Sequence, residues 1–245
     1  MNETGKTVKV LDKGFVRLVD FMGGDQGVVD AARVSYGGKS KGPEADRKLI
    51  AYLMKHKHES PFEHAVFKFH VKTPIFVMRQ WIRHRIASYN EISARYTEVK
   101  DEFYLPARWR AQDPKNKQGS VAADALDDAA LTAKFSGQVD AALACYKDLL
   151  AAGVAREMAR MVLPVNMYTE FYWTINARSL MNFVSLRADA HAQWEIQRYG
   201  EATAGFLRAA MPWSYEAFLR HSWRGENATL AAEAAALAPL EAAAK

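Results

Sequence analysis

Residues 67–72 read Phe-Lys-Phe-His-Val-Lys, with Phe67, Phe69 and Val71 alternating with Lys68, His70 and Lys72. A period of two places the three apolar side chains on one face, the mark of a half-buried strand. Thr73-Pro74 ends this strand, and Pro74 suits the first position of a following helix, IFVMRQWIRHR over 75–85. Far downstream, residues 168–175 are dense in aromatic and β-branched side chains and read as a buried strand. Asn176 follows as N-cap of a helix from 177 to about 187. Antiparallel-looking strands with separate helices, and no regular βαβ alternation, predict an α+β fold: a mostly antiparallel sheet with flanking helices.

Smaller signals fill the remainder. Segments 8–11 and 15–19 read as short strands around Gly14, and 46–56 as a helix. Segment 88–98 is polar and irregular, and Phe103-Tyr104-Leu105 reads as a strand closed by Pro106. Residues 111–121 have the polar, turn-rich composition of a loop. A long helix follows, striped by Phe135, Val139, Leu143, Tyr146 and Leu150 and stopped at Gly153. A shorter helix carries Arg156 and Arg160 and ends at Pro164, and another helix runs from 191 to about 210.

At 245 residues and 49% hydrophobic content, the chain can bury a core without disulfide or metal staples. No apolar stretch approaches the ~20 residues of a membrane span, and the first residues lack a signal-peptide core, so a cytoplasmic protein is expected. The single cysteine, Cys145, fits a reducing compartment. It borders the apolar stripe of the long helix without basic neighbours, which predicts a buried structural thiol rather than a nucleophile. The formal charge of +5 suits an anionic partner, either small phosphates or nucleic acid.

Several chemistries are excluded by spacing. The cluster Gly23-Gly24-Asp25-Gln26-Gly27 does not match G-x-G-x-x-G, so no Rossmann turn is expected, and no phosphate loop or G-x-S-x-G elbow occurs. The run HKHESPFEH invites a metal reading through His56, His58 and His64. It lacks H-E-x-x-H spacing, and Pro61 would break the helix such a motif needs, so no metal site is expected.

The chemistry concentrates between Arg79 and Arg95, in Arg79, Gln80, Arg83, His84, Arg85, Ser88, Asn90, Glu91, Ser93 and Arg95. Guanidinium groups grip phosphate in a forked geometry, and Gln and Asn amides suit base edges. A merely solvated basic face would use lysine freely, whereas this one mixes arginine with amides, hydroxyls and an acid. That focus favours a pocket over a nucleic-acid surface, where cations would spread along the groove. A second polar set holds Asn176, Arg178, Ser179, Asn182, Arg187, Asp189, His191 and Gln193, with Arg178 and Asn182 on one helix face. Alone, that set is ambiguous: Arg187 with Asp189 reads equally as an ion pair, and Asn176 as a simple cap.

Residues 83–96, RHRIASYNEISARY, match R-H-R-x-x-S-x-N-E-x-S-x-R-Y at every fixed position. Together with HESPFEH (58–64), ARMVLP (159–164), NARSLMNF (176–183) and LRADAHAQWEIQ (186–197), they make the chain resemble the flavin-dependent thymidylate synthase family. The resemblance runs from about residue 7 to 224. It implies one family-specific domain over 1–224, leaving 225–245 as an Ala-rich C-terminal tail. It also implies methylation of dUMP to dTMP with FAD, electrons from NADPH and carbon from methylenetetrahydrofolate, by a homotetramer whose active sites lie at subunit interfaces.

The resemblance places Gln80, Arg83, Glu91, Ser93, Ala94, Arg95, Arg160 and Arg187 where the family holds dUMP. It places Ser60, Arg83, His84, Arg85, Glu91, Asn176, Arg178 and Asn182 where FAD lies, with His58, Glu63, Asn90 and His191 around the flavin. Arg187 matches the residue that polarises uracil and favours ionisation at N3. With Cys145 unsuited to attack, fixed charge from Arg187 is the expected route to a nucleophilic pyrimidine. Ser93 is read as a contact rather than a nucleophile, since no base is identifiable beside it. His84 stands as proton shuttle, flavin contact or packing residue.

Overall fold

A computed structural model describes residues 3–237. Its strands and helices, in chain order, are β1 (Thr7–Val10), β2 (Gly14–Met22), α1 (Gly24–Arg33), α2 (Pro43–Lys55), β3 (Val66–Pro74), α3 (Ile75–Trp81), β4 (Ser88–Glu91), β5 (Arg110–Gln112) and β6 (Ser120–Ala122). The second half adds α4 (Asp128–Ala151), α5 (Arg156–Ala159), β7 (Tyr168–Asn176), α6 (Ala177–Arg187), α7 (Trp194–Ala210), α8 (Pro212–His221) and α9 (Ala228–Ala235). The main sheet has the order β1-β2-β3-β7-β4 with every neighbour antiparallel, and β5 and β6 form a separate hairpin. This is the α+β architecture expected from antiparallel-looking strands with separate helices and no βαβ alternation.

The β3–β7 ladder builds the core. Phe67 lies opposite Ile175, Phe69 opposite Trp173 and Val71 opposite Phe171, all six buried. The alternate pairs, Lys68–Thr174, His70–Tyr172 and Lys72–Glu170, occupy the other face. Against the apolar face packs Trp81, fully buried at the end of α3, with its ring 5.0 Å from Trp173 and 4.7 Å from Phe183. Leu180, Phe183 and Val184 of α6 and Ile196, Tyr199 and Leu207 of α7 close this layer. A satellite core joins Val139, Leu143 and Tyr146 of α4 to Phe103 and Met167.

Several elements depart from the sequence reading. Helix α3 stops at Trp81 rather than Arg85: the chain turns there, with the His84 N–H donating to the Trp81 carbonyl at 3.0 Å, and the Tyr89 hydroxyl holds the turn by donating to the His84 carbonyl at 2.7 Å. The irregular segment contains β4, an edge strand whose hydrogen bonds come from β7 and whose pattern shows only Tyr89 half-buried. Alternation sends Glu91 to the face of Phe171 and Asn90 to the face of Tyr172. Phe103-Tyr104-Leu105 makes only an isolated bridge, Phe103 to Met167. The loop over 111–121 is a hairpin, and the helix expected from 191 begins at Trp194.

Cys145 is exposed on α4, not buried: Leu143 and Tyr146 take the inward positions beside it. Residues of the expected tail pack onto the fold, with Leu230 of α9 buried and Arg208 and Tyr215 hydrogen-bonded to Glu233. The rest of that tail, 238–245, lies outside the described residues.

Candidate active site

The turn after α3 and the length of α6 face each other across a cleft of about 600 Å³. Arg83, His84 and Arg85 come from the turn, and Arg178, Asn182 and Arg187 from α6. Asn176 caps α6 by accepting from the Ser179 N–H at 2.8 Å, which fixes the helix start. The i,i+4 pair Arg178 and Asn182 then shares the cleft wall. Met54, Phe62, Ile86, Met181 and Leu186 supply apolar lining. A second cleft continues it, sharing Arg83, Ser185, Leu186, Arg187 and Ser222, and adds Gln80, His191 and Gln193.

Helix α7 holds the Arg187 end of α6 in place. Gly200 sits at their crossing, where an added Cβ would stand 2.7 Å from the Ala188 nitrogen and 2.8 Å from the Arg187 carbonyl carbon. Only a residue without Cβ permits this approach.

The charges in the cleft are unusual. Elsewhere arginines pair with carboxylates, as in Arg33–Asp46 and Arg110–Glu195, and on the cleft wall itself Arg178 pairs with Glu59 and Glu63. Among the described residues, Arg83, Arg85 and Arg187 have no carboxylate partner. Burial and the charge of Arg83 lower the proton affinity of Arg187. Arg187 Nε donates to His84 Nε2 at 2.9 Å, and the imidazole is edge-on to Phe183 at 4.8 Å. Burial, then the Arg187 charge, brings His84 down to about 4, so it is neutral near pH 7 with its proton on Nδ1. Neutral imidazole that accepts from a cation is poorly suited to shuttle protons; it orients Arg187.

The other expected nucleotide contacts lie elsewhere. Glu91, Ser93, Ala94, Arg95 and Arg160 line a third cleft beyond the end of β4, which shares no wall residue with the first two. Glu91 is held by the Thr169 hydroxyl at 2.6 Å. The N–H groups of Ser93 and Ala94 have no acceptor among the described residues, and Arg95 and Arg160 likewise have no carboxylate partner. Anion-binding capacity is therefore divided between two separate places in one chain.

Of the residues expected around the flavin, Glu63 reaches the first cleft through its 2.9 Å contact to Arg178, and His191 lines the second. His191 is also bonded to Asp189, and that hydrogen bond, then the Asp189 charge, raises its proton affinity. His58 and Ser60 are exposed beside the turn at Ser60–His64, and Asn90 is exposed on β4. The pairing of Arg187 with Asp189 does not form; Asp189 turns to His191 and to the Glu226 N–H. Among the described residues no cluster of His, Cys, Asp or Glu is placed to hold a metal ion, and no helix is long and apolar enough to cross a membrane.

Sequence reading missed two side chains. Thr169 fixes Glu91, and buried Glu195 stands behind Gln80 through Gln193, a member of the second polar set. The only sequence hint was polarity inside otherwise apolar patterns.

An α+β domain that gathers unpaired guanidiniums, amides and a neutral histidine into clefts has the makings of an enzyme for a phosphorylated substrate. Residues 17–213 match the family described as thymidylate synthase complementing protein. The flavin-dependent thymidylate synthase of Thermosipho melanesiensis is 57% identical over 220 residues, covering 89% of this chain and 96% of that one. An enzyme of the same name from Thermus thermophilus is 54% identical over 219 residues, covering 89% and 80%. The solved structure of PolB from Streptomyces cacaoi, a UMP/dUMP methylase bound with 5-Br dUMP, superposes with a TM-score of 0.78 at 37% identity, covering 86% and 97%. The chain belongs to the flavin-dependent thymidylate synthase family.

Proposed function

We propose that this protein methylates dUMP to dTMP, taking carbon from methylenetetrahydrofolate and hydride from FAD reduced by NADPH, with no enzyme cysteine as nucleophile. The observation that carries the reading is the unpaired group Arg83, Arg85 and Arg187 around a neutral His84. The names of the relatives and the dUMP-type ligand of PolB supply the substrate.

The residues present fit a flavin dinucleotide. Arg83, His84, Arg85, Arg178 and Asn182 offer N–H donors for a diphosphate, and Met54, Phe62, Ile86, Met181 and Leu186 offer surface for rings. When bound, the flavin supplies redox chemistry that no side chain can. The chain's own work is electrostatic. Gln80, Arg83 and Arg187 hold the nucleotide from one side, with Glu91, Ser93, Ala94, Arg95 and Arg160 from the other. Arg187, aimed by His84, sets fixed positive charge against the pyrimidine. It favours ionisation at N3 and a nucleophilic C5, a contribution of about 3 kcal/mol for preorganised donors in a dry site.

Since these two groups line clefts with no common wall, we read them as halves brought together by neighbouring subunits of a homotetramer. Ile86, Leu186, Ile92, Tyr96 and Met161 line or flank these clefts as exposed apolar side chains, which suits a surface covered on assembly.

The test is spectral and catalytic. Purified protein should absorb between about 350 and 500 nm as a flavoprotein. It should form dTMP from dUMP only with methylenetetrahydrofolate and NADPH present. A colourless protein that takes up no flavin, or a flavoprotein that forms no dTMP, would refute the reading.

A further inference from the structure

We propose that Glu195 is a positioning residue: acting through Gln193, it fixes which way the Gln80 carboxamide faces. The inference rests on the reading of Gln80 as a nucleotide contact. Glu195 lies in the first turn of α7 and is 2% exposed. Arg110 of the hairpin donates to its Oε1 at 2.6 Å, and the Tyr104 hydroxyl donates to the same atom at 3.1 Å. Gln193 Nε2 donates to Oε2 at 2.9 Å. Gln193 Oε1 in turn accepts from Gln80 Nε2.

The order of donors and acceptors follows from the charge at one end. A carboxylate paired with a guanidinium has only lone pairs to offer. Gln193 must therefore present its NH2 to Glu195, and its carbonyl oxygen is left pointing at Gln80. Gln80 must answer with its own NH2, because two amide oxygens in contact would repel. One buried charge thus sets the rotamer polarity of two successive amides. Gln80 is left with its oxygen and one N–H for the cleft it lines beside Arg83 and Arg187. Without the charge, a neutral side chain at 195 could donate or accept, and both amides could flip. A flipped Gln80 would offer a nucleotide the wrong pattern.

The experiment measures dUMP dissociation constants and KM against kcat on the flavin-loaded oligomer of several variants. Gln80→Ala should weaken dUMP binding about fivefold, the loss of one hydrogen bond. Unchanged binding there would overturn the assignment of Gln80 and the relay with it. Glu195→Gln should weaken binding about fivefold with kcat within about twofold of the parent. Parental affinity in Glu195→Gln, beside a weakened Gln80→Ala, would overturn the relay alone.

The double variant Gln193→Glu with Glu195→Gln moves the charge one step and again shows Gln80 an acceptor. Binding should recover to within about twofold of the parent. Failure to recover in a normally assembled oligomer would overturn polarity control and leave Glu195 a structural role. Tyr104→Phe removes another partner of Glu195 but keeps the relay, and should bind dUMP normally; weakening equal to that of Glu195→Gln would also overturn the proposal. Should Glu195→Gln fail to assemble, Gln193→Leu cuts the relay with Arg110–Glu195 intact and carries the same expectation.

Discussion

Arg187 donates its Nε proton to His84 Nε2 across 2.9 Å, so the two residues form a donor–acceptor pair in which only one partner carries charge. Such a pair keeps Arg187 aimed without neutralising it. A carboxylate in place of His84 would have cancelled the charge that the cleft presents.

The pair has a pH signature. His84 protonates near 4 in the folded chain, against 6.5 for a free histidine. Between those values the unfolded chain holds the proton and the folded chain does not. Stability from this source is therefore complete above about pH 6.5, falls as the pH drops towards 4, and changes no further below it. His84→Gln keeps an acceptor for Arg187 but cannot titrate. Urea unfolding at pH 7, 5 and 4 should show a shallower acid loss in the variant than in the parent; identical slopes would refute the shift.

Arg187→Ala should lower kcat by about a hundred- to a thousandfold, as for loss of one preorganised electrostatic contact. Folding and assembly, followed by circular dichroism and gel filtration, should persist. Arg187→Lys should recover little, because an ammonium cannot reproduce the planar fork that meets both His84 and a ring edge. Near-normal turnover in either variant would remove Arg187 from its proposed role.

Gly200→Ala should disturb turnover through geometry alone. The added methyl has no room against Ala188 and Arg187. Overpacking of this kind costs about 1–3 kcal/mol of stability. Because the pressure falls on the residue that carries Arg187, kcat should drop further than Tm implies. A variant equally stable and equally active would mean that the helices part without moving the site.

Cys145 is exposed, so one thiol per chain should react with a thiol reagent in the native protein. Cys145→Ala should keep methylation within about twofold, an ordinary surface effect. An inactive but folded Cys145→Ala would reinstate covalent attack by thiolate.

The divided site predicts complementation. Arg95→Ala and Arg187→Ala should each be nearly inactive alone. Co-refolded mixtures should regain part of the activity, since some sites would unite an intact half from each subunit. Mixtures that stay as inactive as their components would place both groups in one chain's site.

Legibility in the sequence depended on where the stabilising contacts come from. β3 could be read from the period two that its core contacts impose on Phe67, Phe69 and Val71, and β7 from its density of aromatic and β-branched residues, of which Phe171, Trp173 and Ile175 are buried in the same core. β4 could not, because an edge strand takes its order from a neighbour's hydrogen bonds rather than its own apolar pattern. The end of α3 was hidden for the same reason: nothing in IRHR halts a helix, and the contact that holds the turn after it comes from Tyr89, outside the segment. Helices α1 and α8 went unread, although Asp25 of α1 caps α8 through the Trp213 and Ser214 N–H groups at 2.9 Å each. The arginines of 83–95 stood out because they arrive together without lysine. Gln80 and Gln193 lie 113 residues apart, and only the folded chain makes them neighbours. Cys145 was misjudged because its place beside a stripe of apolar residues does not say on which side of the stripe it falls.

The short edge strand Ser88–Glu91 delivers Asn90 and Glu91 to opposite sides of the sheet. Such a segment tolerates substitution more readily than a change of length. One inserted or deleted residue would exchange what the two sides receive and unseat Tyr89 from the end of α3 in the same stroke. Length variants of this protein should therefore be viable at the tip of the 110–122 hairpin and fail within these four residues.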